Sequence, residues 1–384
     1  MDTLLHHPAA GVRTPAARPP GGAPGLRLVE SPCLILARPC PGNTPESWHT
    51  AIARLGRWLD LDLAQIPRRQ ASGLQRVTTW AAAASGREGS AHAPPVFAPW
   101  QCWSPVALQQ PGKTALPHAS WVASYLYYGG PAKPLGRGAV DIQLLSPLPS
   151  ACLPGEGEDR PIPKPDALRA MIKAARSEGR ERIAIVTDAQ RLNTMIRQLL
   201  LLDRSMTRDC SQIEVLSIES ALCRLVHDRS RWDGIIVLPE LRSLMFAMLA
   251  QLYAISSPWP MLWQHRGVTM ICAEQLDGGA SDLPLDAPLL VQALALAARQ
   301  AGLGVIARQL IRGVARLWDC GIVTPGRGTV APYVTEVGDD EFIEQLCRGV
   351  AGGQRAVASW RAVPEGPAPA ASPAPSRLRL VGKD

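Results

Sequence analysis

The chain is most informative first for what it lacks. It has no uncharged apolar run of the ~18 residues that a membrane span needs, which excludes a polytopic membrane protein. It has no block of five like charges, so its formal net charge of +7 is diffuse and offers no basic stripe for nucleic acid. Lysine is scarce: 35 of the 40 basic residues are Arg. Arg richness beside Ala, Gly and Pro richness reads as compositional bias, not as a nucleic-acid footprint. The nine Cys lie at positions 33, 40, 102, 152, 210, 223, 272, 320 and 347 with no CxxC pair, so a structural zinc site is not expected. An odd number of thiols in a chain this long points to reduced cysteines and a cytoplasmic setting. The opening MDTLLHHPAAGVRTPAARPPGGAPG has no continuous apolar stretch and is not expected to be a secretory signal.

What is present fits a globular α/β protein. The 384 residues are 46% hydrophobic and 19% charged, which excludes wholesale disorder. Gly (33) and Pro (36) are abundant, yet below the share of a low-complexity chain, and Gly has no period of three, so collagen is excluded. The length accommodates two domains or one large one. Residues 1–25 and 362–384 are rich in Pro, Ala, Gly and Arg and are expected to be flexible tails. The stretch 85–118 reads as an ordered loop with some packing through Trp100, Cys102 and Trp103.

Between them the pattern is regular. Asp166 is the expected N-cap of a helix through ALRAMIKAARSE, with Gly179 as its stop. RIAIVT (182–187), IEVLSI (213–218) and GIIVL (234–238) are short apolar runs typical of buried strands. Helical stretches MIRQLLLL, SALCRLVHD and LRSLMFAMLAQLYA follow them in turn. That alternation predicts βαβ units and a parallel sheet. LRLVESPCLILA (26–37) and VDIQLL (140–145) also read as strands, SWHTAIARLGRWLDL as a helix, and the C-terminal part as three helices. On one of these, Arg308, Arg312 and Arg316 recur as a solvated helix face.

Local chemical motifs are few. PGKT (111–114) fails as a phosphate loop because Ala107 stands where the first Gly is required. The turn PGNTPE (41–46) is compatible with anion binding, but also with an ordinary turn capped by Thr44 and Pro45. No GxSxG, HExxH, EF-hand or GxGxxG occurs. His265, in LWQHRG, is placed on a loop. Asp188, Glu219 and Glu240 each follow a strand at its carboxyl end. There they can converge on a metal or a cationic ligand, or simply favour helix starts.

The run IPKPDALRAMIKAARSEGRERIAIVTDAQRL, followed by QIEVLSIESALCRLVHDRSRWDGIIVLPEL, resembles the β-decarboxylating dehydrogenases, the isocitrate and 3-isopropylmalate dehydrogenase family. LWQHRG is similar to that family's FEPVHG, APLLVQALALAA to its NPxAxILSAAMML, and YLYYGGPAKPLGRGAVDIQLLSPL to its LFANLRPAK and VDxxIVREN. The pieces occur in family order from about residue 26 to 350. The resemblance implies an isopropylmalate-dehydrogenase-like fold: two α/β domains with a mixed, largely parallel sheet. The larger domain would comprise 26–130 and 245–361, the smaller 131–244, with a homo- or hetero-dimer across the smaller ones. NAD(P) and magnesium or manganese are implied by the resemblance only.

The functional positions depart from the family. Its substrate Arg residues fall on Gly130 and Ser146, its catalytic Lys on Asp188, and its metal-binding Asp pair near Ser243 and Ala247. Its catalytic Tyr segment is shortened to SACLPGEGEDR, without Tyr, and its Asp of VDA becomes Glu219. Of its cofactor loop only His265 and Gly267 survive. Each reversed charge in such a pocket costs on the order of a few kcal/mol at intermediate dielectric. The expectation is therefore a diverged, non-catalytic homologue acting as a partner subunit or regulatory scaffold. Its rival is an enzyme with a remodelled pocket, using Asp188, Glu219 and His265 on a small hydroxy acid with a nicotinamide cofactor.

Overall fold

The computed structural model describes residues 33–36, 46–65, 95–109, 120–129, 140–153, 161–202, 213–229, 231–265, 268–276, 281–325, 334–349 and 359–363. All lie within one compact unit, Pro32–Asp384. The expected tail 1–25, the expected strand residues 26–32 and the expected turn with Thr44 and Pro45 lie outside them.

Apolar, β-branched runs build the sheet. Eleven described strands join it: β1 (Cys33–Leu36), β2 (Asp62–Gln65), β3 (Val96–Trp103), β4 (Trp121–Tyr128), β5 (Val140–Pro147), β8 (Ile183–Thr187), β9 (Ile213–Ser217), β10 (Gly234–Val237), β11 (Trp259–His265), β12 (Val268–Glu274) and β13 (Ser281–Asp282). Two short ladders stand apart, β6 (Cys152–Leu153) with β7 (Ile162–Pro163), and β14 (Ile322–Val323) with β15 (Thr335–Glu336).

The strand order is β2-β1-β3-β12-β11-β4-β5-β10-β8-β9, with β13 antiparallel on β3. Strands β2-β1-β3-β12 pair in parallel, as do β5-β10-β8-β9. Antiparallel pairing of β12-β11-β4-β5 joins these halves and turns one against the other. The first half comes from residues 33–128 and 259–282, the second from 140–237. Every residue of β4 is buried, as a strand covered on both faces must be.

Helices α1 (Glu46–Leu59), α2 (Pro165–Ser177), α3 (Leu192–Leu201), α4 (Ile218–His227), α5 (Arg242–Tyr253), α6 (Ala287–Gln300), α7 (Gly304–Asp319) and α8 (Asp339–Arg348) accompany the strands. The steps β8–α3–β9 and β9–α4–β10 run in opposite directions along the sheet. Right-handed crossovers therefore put α3 and α4 on opposite faces. Helix α6 carries no charge before Arg299, and Ala287 to Ala298 are all buried, as expected of a helix apolar all round. Its neighbour α7 buries Leu310, Ile311, Val314, Leu317 and Trp318 and leaves Arg312 exposed.

Three expectations need correction. Asp166 is not the cap of α2: Lys164 holds that place, Pro165 starts the helix with its φ already set, and Asp166 sits in the first turn paired with Arg169 at 2.9 Å. Gly179 does end the helix, at φ +71°. The supposed loop 85–118 contains β3, a strand between β1 and β12. Pro99 hid it. Phe97 faces Ile271 and Cys102 faces Ala273, so four residues oppose Cys272 alone, and Pro99 falls in this register break, where a missing N–H is tolerated. His265 is not on a loop but is the last residue of β11, opposite Val268. Burial also runs past the expected start of the C-terminal tail: Ala362 and Val363 are buried.

Candidate functional site

Because β5, β8, β9 and β10 are parallel, their carboxyl ends share one sheet edge. Strand β11 lies two antiparallel steps from β5, so His265 ends at that edge as well. Open α/β sheets collect ligands there. The edge is wide, however. Four strand spacings separate β8 from β11, roughly 19 Å at ~4.8 Å per spacing. One small hydroxy acid cannot touch both Asp188 and His265; only an extended ligand would reach across.

Asp188 follows β8, and its carboxylate is fully engaged. Oδ1 accepts the backbone N–H of Arg191 at 2.9 Å, and Oδ2 accepts Arg191 Nε at 2.8 Å and lies 2.5 Å from Nη2. Arg191 Nη2 also pairs closely with Glu240, which follows β10. Arg191 Nη1 donates to the carbonyl of Pro161 at 2.7 Å. One buried guanidinium thus gathers two of the three strand-end carboxylates. Burial opposes its charge, but the hydrogen bonds and charges of Asp188 and Glu240 outweigh this and hold its pKa above the ordinary value.

Glu219 does not join them. It lies exposed in the first turn of α4, behind the Ser217 cap, whose Oγ accepts from Ser220 N–H. A carboxylate there answers the helix dipole.

The remaining positions singled out by the resemblance are similarly occupied. Ser146 is buried, and its hydroxyl donates to the carbonyl of Pro147 at 3.2 Å. Ser243 accepts from Gln109 Nε2 at 3.4 Å, and Ala247 is half-buried in α5. In the shortened segment, Cys152 is buried beside Lys164, Arg191 and Glu240. Burial first, then Glu240, pushes its thiol up to about 11, so at neutral pH it is a protonated thiol and not a nucleophile. Gly130 and Gly267 lie outside the described residues, as does the side chain of His265.

This donor set does not fit a divalent metal. Hard cations need several free oxygens, and both oxygens of Asp188 and Oε1 of Glu240 are engaged by Arg191. Among the described residues no group of three His, Cys, Asp or Glu could hold a metal ion.

Strand-end reasoning missed two buried networks. Arg242, the first residue of α5, donates through Nε to Glu274 Oε1 at 2.8 Å and through Nη2 to Oε2 at 2.6 Å and to Ser124 Oγ at 2.8 Å. Ser124 also bonds closely to Glu274, and Arg242 Nη1 reaches the carbonyl of Leu144 at 3.4 Å. The network ties β12, β4 and β5 to α5, and all three side chains are within 1% of full burial. Elsewhere, Glu178 accepts from Tyr125, Gln143 and Arg299 at 3.0, 2.9 and 2.6 Å. Burial and then Glu178 raise the pKa of Tyr125. The available signal was a charged residue on an otherwise apolar element: Arg242 before SLMFAML, and Glu274 closing VTMICA.

No protein-family model matches the sequence, and no curated protein matches it. Solved structures do. Isocitrate dehydrogenase from Methylococcus capsulatus superposes with a TM-score of 0.54 at 13% identity, covering 82% of this chain and 98% of that one. The TT0538 protein from Thermus thermophilus gives a TM-score of 0.56 at 13% identity, over 87% of this chain and 71% of that one. The likeness is one of fold: a mixed α/β architecture around a large, mostly parallel sheet of the kind found in isocitrate dehydrogenase.

Proposed function

We propose that the chain is a diverged homologue of the NAD(P)-dependent isocitrate and isopropylmalate dehydrogenases that no longer performs their metal-dependent oxidative decarboxylation. It acts instead as a partner subunit or regulatory scaffold. In this reading the two halves of the sheet correspond to two domains, the assembly is a homo- or hetero-dimer, and the setting is cytoplasmic.

One observation carries the reading. The carboxylates available at the sheet edge, Asp188 and Glu240, are both paired with Arg191. The parental chemistry asks for a divalent metal to polarise the substrate oxygen. It also asks for cations to hold substrate carboxylates. Here the side chains at the matching positions are Ser146, Asp188, Ser243 and Ala247. The test is direct. Purified protein is given isocitrate or 3-isopropylmalate, NAD+ or NADP+, and magnesium or manganese, and reduced nicotinamide is followed by absorbance. No turnover above the uncatalysed rate is expected; steady turnover overturns the proposal.

The common edge of Asp188, Glu240 and His265 favours a second reading, an oxidoreductase with a remodelled pocket in which the extended nicotinamide cofactor, and not the small hydroxy acid, reaches across from Asp188 to His265. Calorimetric titration with nicotinamide and adenine nucleotides separates the two. Saturable binding that disappears in His265→Ala supports the enzyme, and no binding supports the scaffold.

A further inference from the structure

The segment Ser359–Val363 makes contacts of unusual reach for five residues. Trp360 is fully buried. Its ring stacks on Tyr127, centroids 5.2 Å apart at 17°, and meets Tyr125 edge-on at 5.7 Å. Both tyrosines belong to β4, the last strand of the first half of the sheet. Arg361 turns to the other half. Its backbone N–H donates to Asp141 Oδ2 on β5 at 2.8 Å. Its guanidinium pairs closely with Asp233, the residue before β10. Tyr127 and Asp141 are register partners, so the segment crosses the seam where the two halves meet.

We propose that Ser359–Val363 is a detachable strap that fastens this seam and limits how far the two halves of the sheet twist about β4 and β5. Its placement spans both halves, and it stands outside the ladders of the sheet. The segment has no helix or strand of its own; Val363 N–H closes a single turn on the Trp360 carbonyl at 2.9 Å. The grip rests on Trp360, on Arg361 and on the buried Ala362 and Val363. The Arg361 side chain is 40% exposed, and salt weakens a partly exposed ion pair.

Asp141 also serves a cation through its other oxygen. Arg180, fully buried, bonds closely to its Oδ1 and donates to its carbonyl at 2.9 Å. Arg180 Nε and Nη2 have no partner among the described residues. Asp141 is thus shared between the Arg361 backbone N–H and the Arg180 cation, while the Arg361 guanidinium rests on Asp233. A short segment outside the sheet ladders opens locally before the fold does. The inference does not depend on whether the chain is catalytic.

Hydrogen exchange read by mass spectrometry on the full-length chain tests it, using Trp360→Ala, Arg361→Ala, Arg361→Lys and the remote core variant Leu225→Ala. The strap predicts that Trp360→Ala and Arg361→Ala speed exchange about tenfold or more at Tyr125–Tyr128 and Val140–Ile142, while Ile183–Thr187 keeps its wild-type rate. Arg361→Lys should restore part of the protection, and added salt should speed the same amides in the wild type. Leu225→Ala should not reproduce the pattern. A uniform rise across the sheet, or no rise at the seam, overturns the proposal. If Trp360→Ala does not fold, Arg361→Ala decides, because its side chain lies at the exposed end.

Discussion

Replacing Arg242 with Met removes one partner of a fully buried charge pair. Met retains much of the stem's volume, so the loss is chiefly electrostatic. Glu274 forfeits two bonds, at 2.8 and 2.6 Å, and keeps only the Ser124 hydroxyl. Its carboxylate has no exposure to water. Breaking a buried pair from one side costs about 3–5 kcal/mol, a large share of the ~5–15 kcal/mol that holds a domain. The double variant Arg242→Met/Glu274→Gln should lose only about 1–2 kcal/mol, because it leaves no uncompensated charge and sacrifices mainly hydrogen bonds. Urea denaturation followed by circular dichroism, arranged as a double-mutant cycle, reads the coupling. A loss below ~1 kcal/mol in Arg242→Met, or strictly additive single effects, would show that the pair is not coupled as its geometry implies.

Three further outcomes follow from other sites. Among the described cysteines, exposed Cys223 and Cys320 should alkylate first in the native protein, whereas Cys102, Cys152 and Cys272 should resist until unfolding, as timed iodoacetamide labelling would show. Burial raises those three thiols to about 12, 11 and 12 from an unfolded value near 9.0. The folded state therefore holds their protons longer, and stability present below about pH 9 should be lost as pH rises towards 11–12. Ala254 ends α5 at φ +51°, a left-handed conformation that costs a non-glycine residue roughly 1–2 kcal/mol. Ala254→Gly should then raise the melting temperature, and a lowered one would contradict the strain.

How much of this was legible in the sequence depended on residue type. Strands β8, β9 and β10 stood out because IAIVT, IEVLS and GIIV are short and β-branched, with helical periodicity after each. Strands β3, β11 and β12 did not. VFAPWQCW, WPMLWQH and VTMICAE place Pro, Trp, Met and Cys where Val or Ile would have signalled a strand. Their pairing is long-range, so no local pattern announces it. Trp360 sits next to a Pro- and Ala-rich tail, and only the fold reveals its aromatic partners.

The site was half legible. Strand-end position brought Asp188 and Glu240 to one edge, but attention to carboxylates passed over the cation that neutralises them. The spacing of Asp188 and Arg191 on one turn was the available clue. Glu219 followed the bland rule that acids favour helix starts.

If the edge carboxylates are spent on Arg191, they leave no metal site. Titration with Mn2+, read by electron paramagnetic resonance on the wild type, Asp188→Asn and Arg191→Ala, probes this at its source. The wild type should show no saturable binding, and Arg191→Ala should gain Mn2+ affinity, because Asp188 and Glu240 are released there. Saturable Mn2+ binding by the wild type that is lost in Asp188→Asn would mean instead that these carboxylates are free to hold a metal.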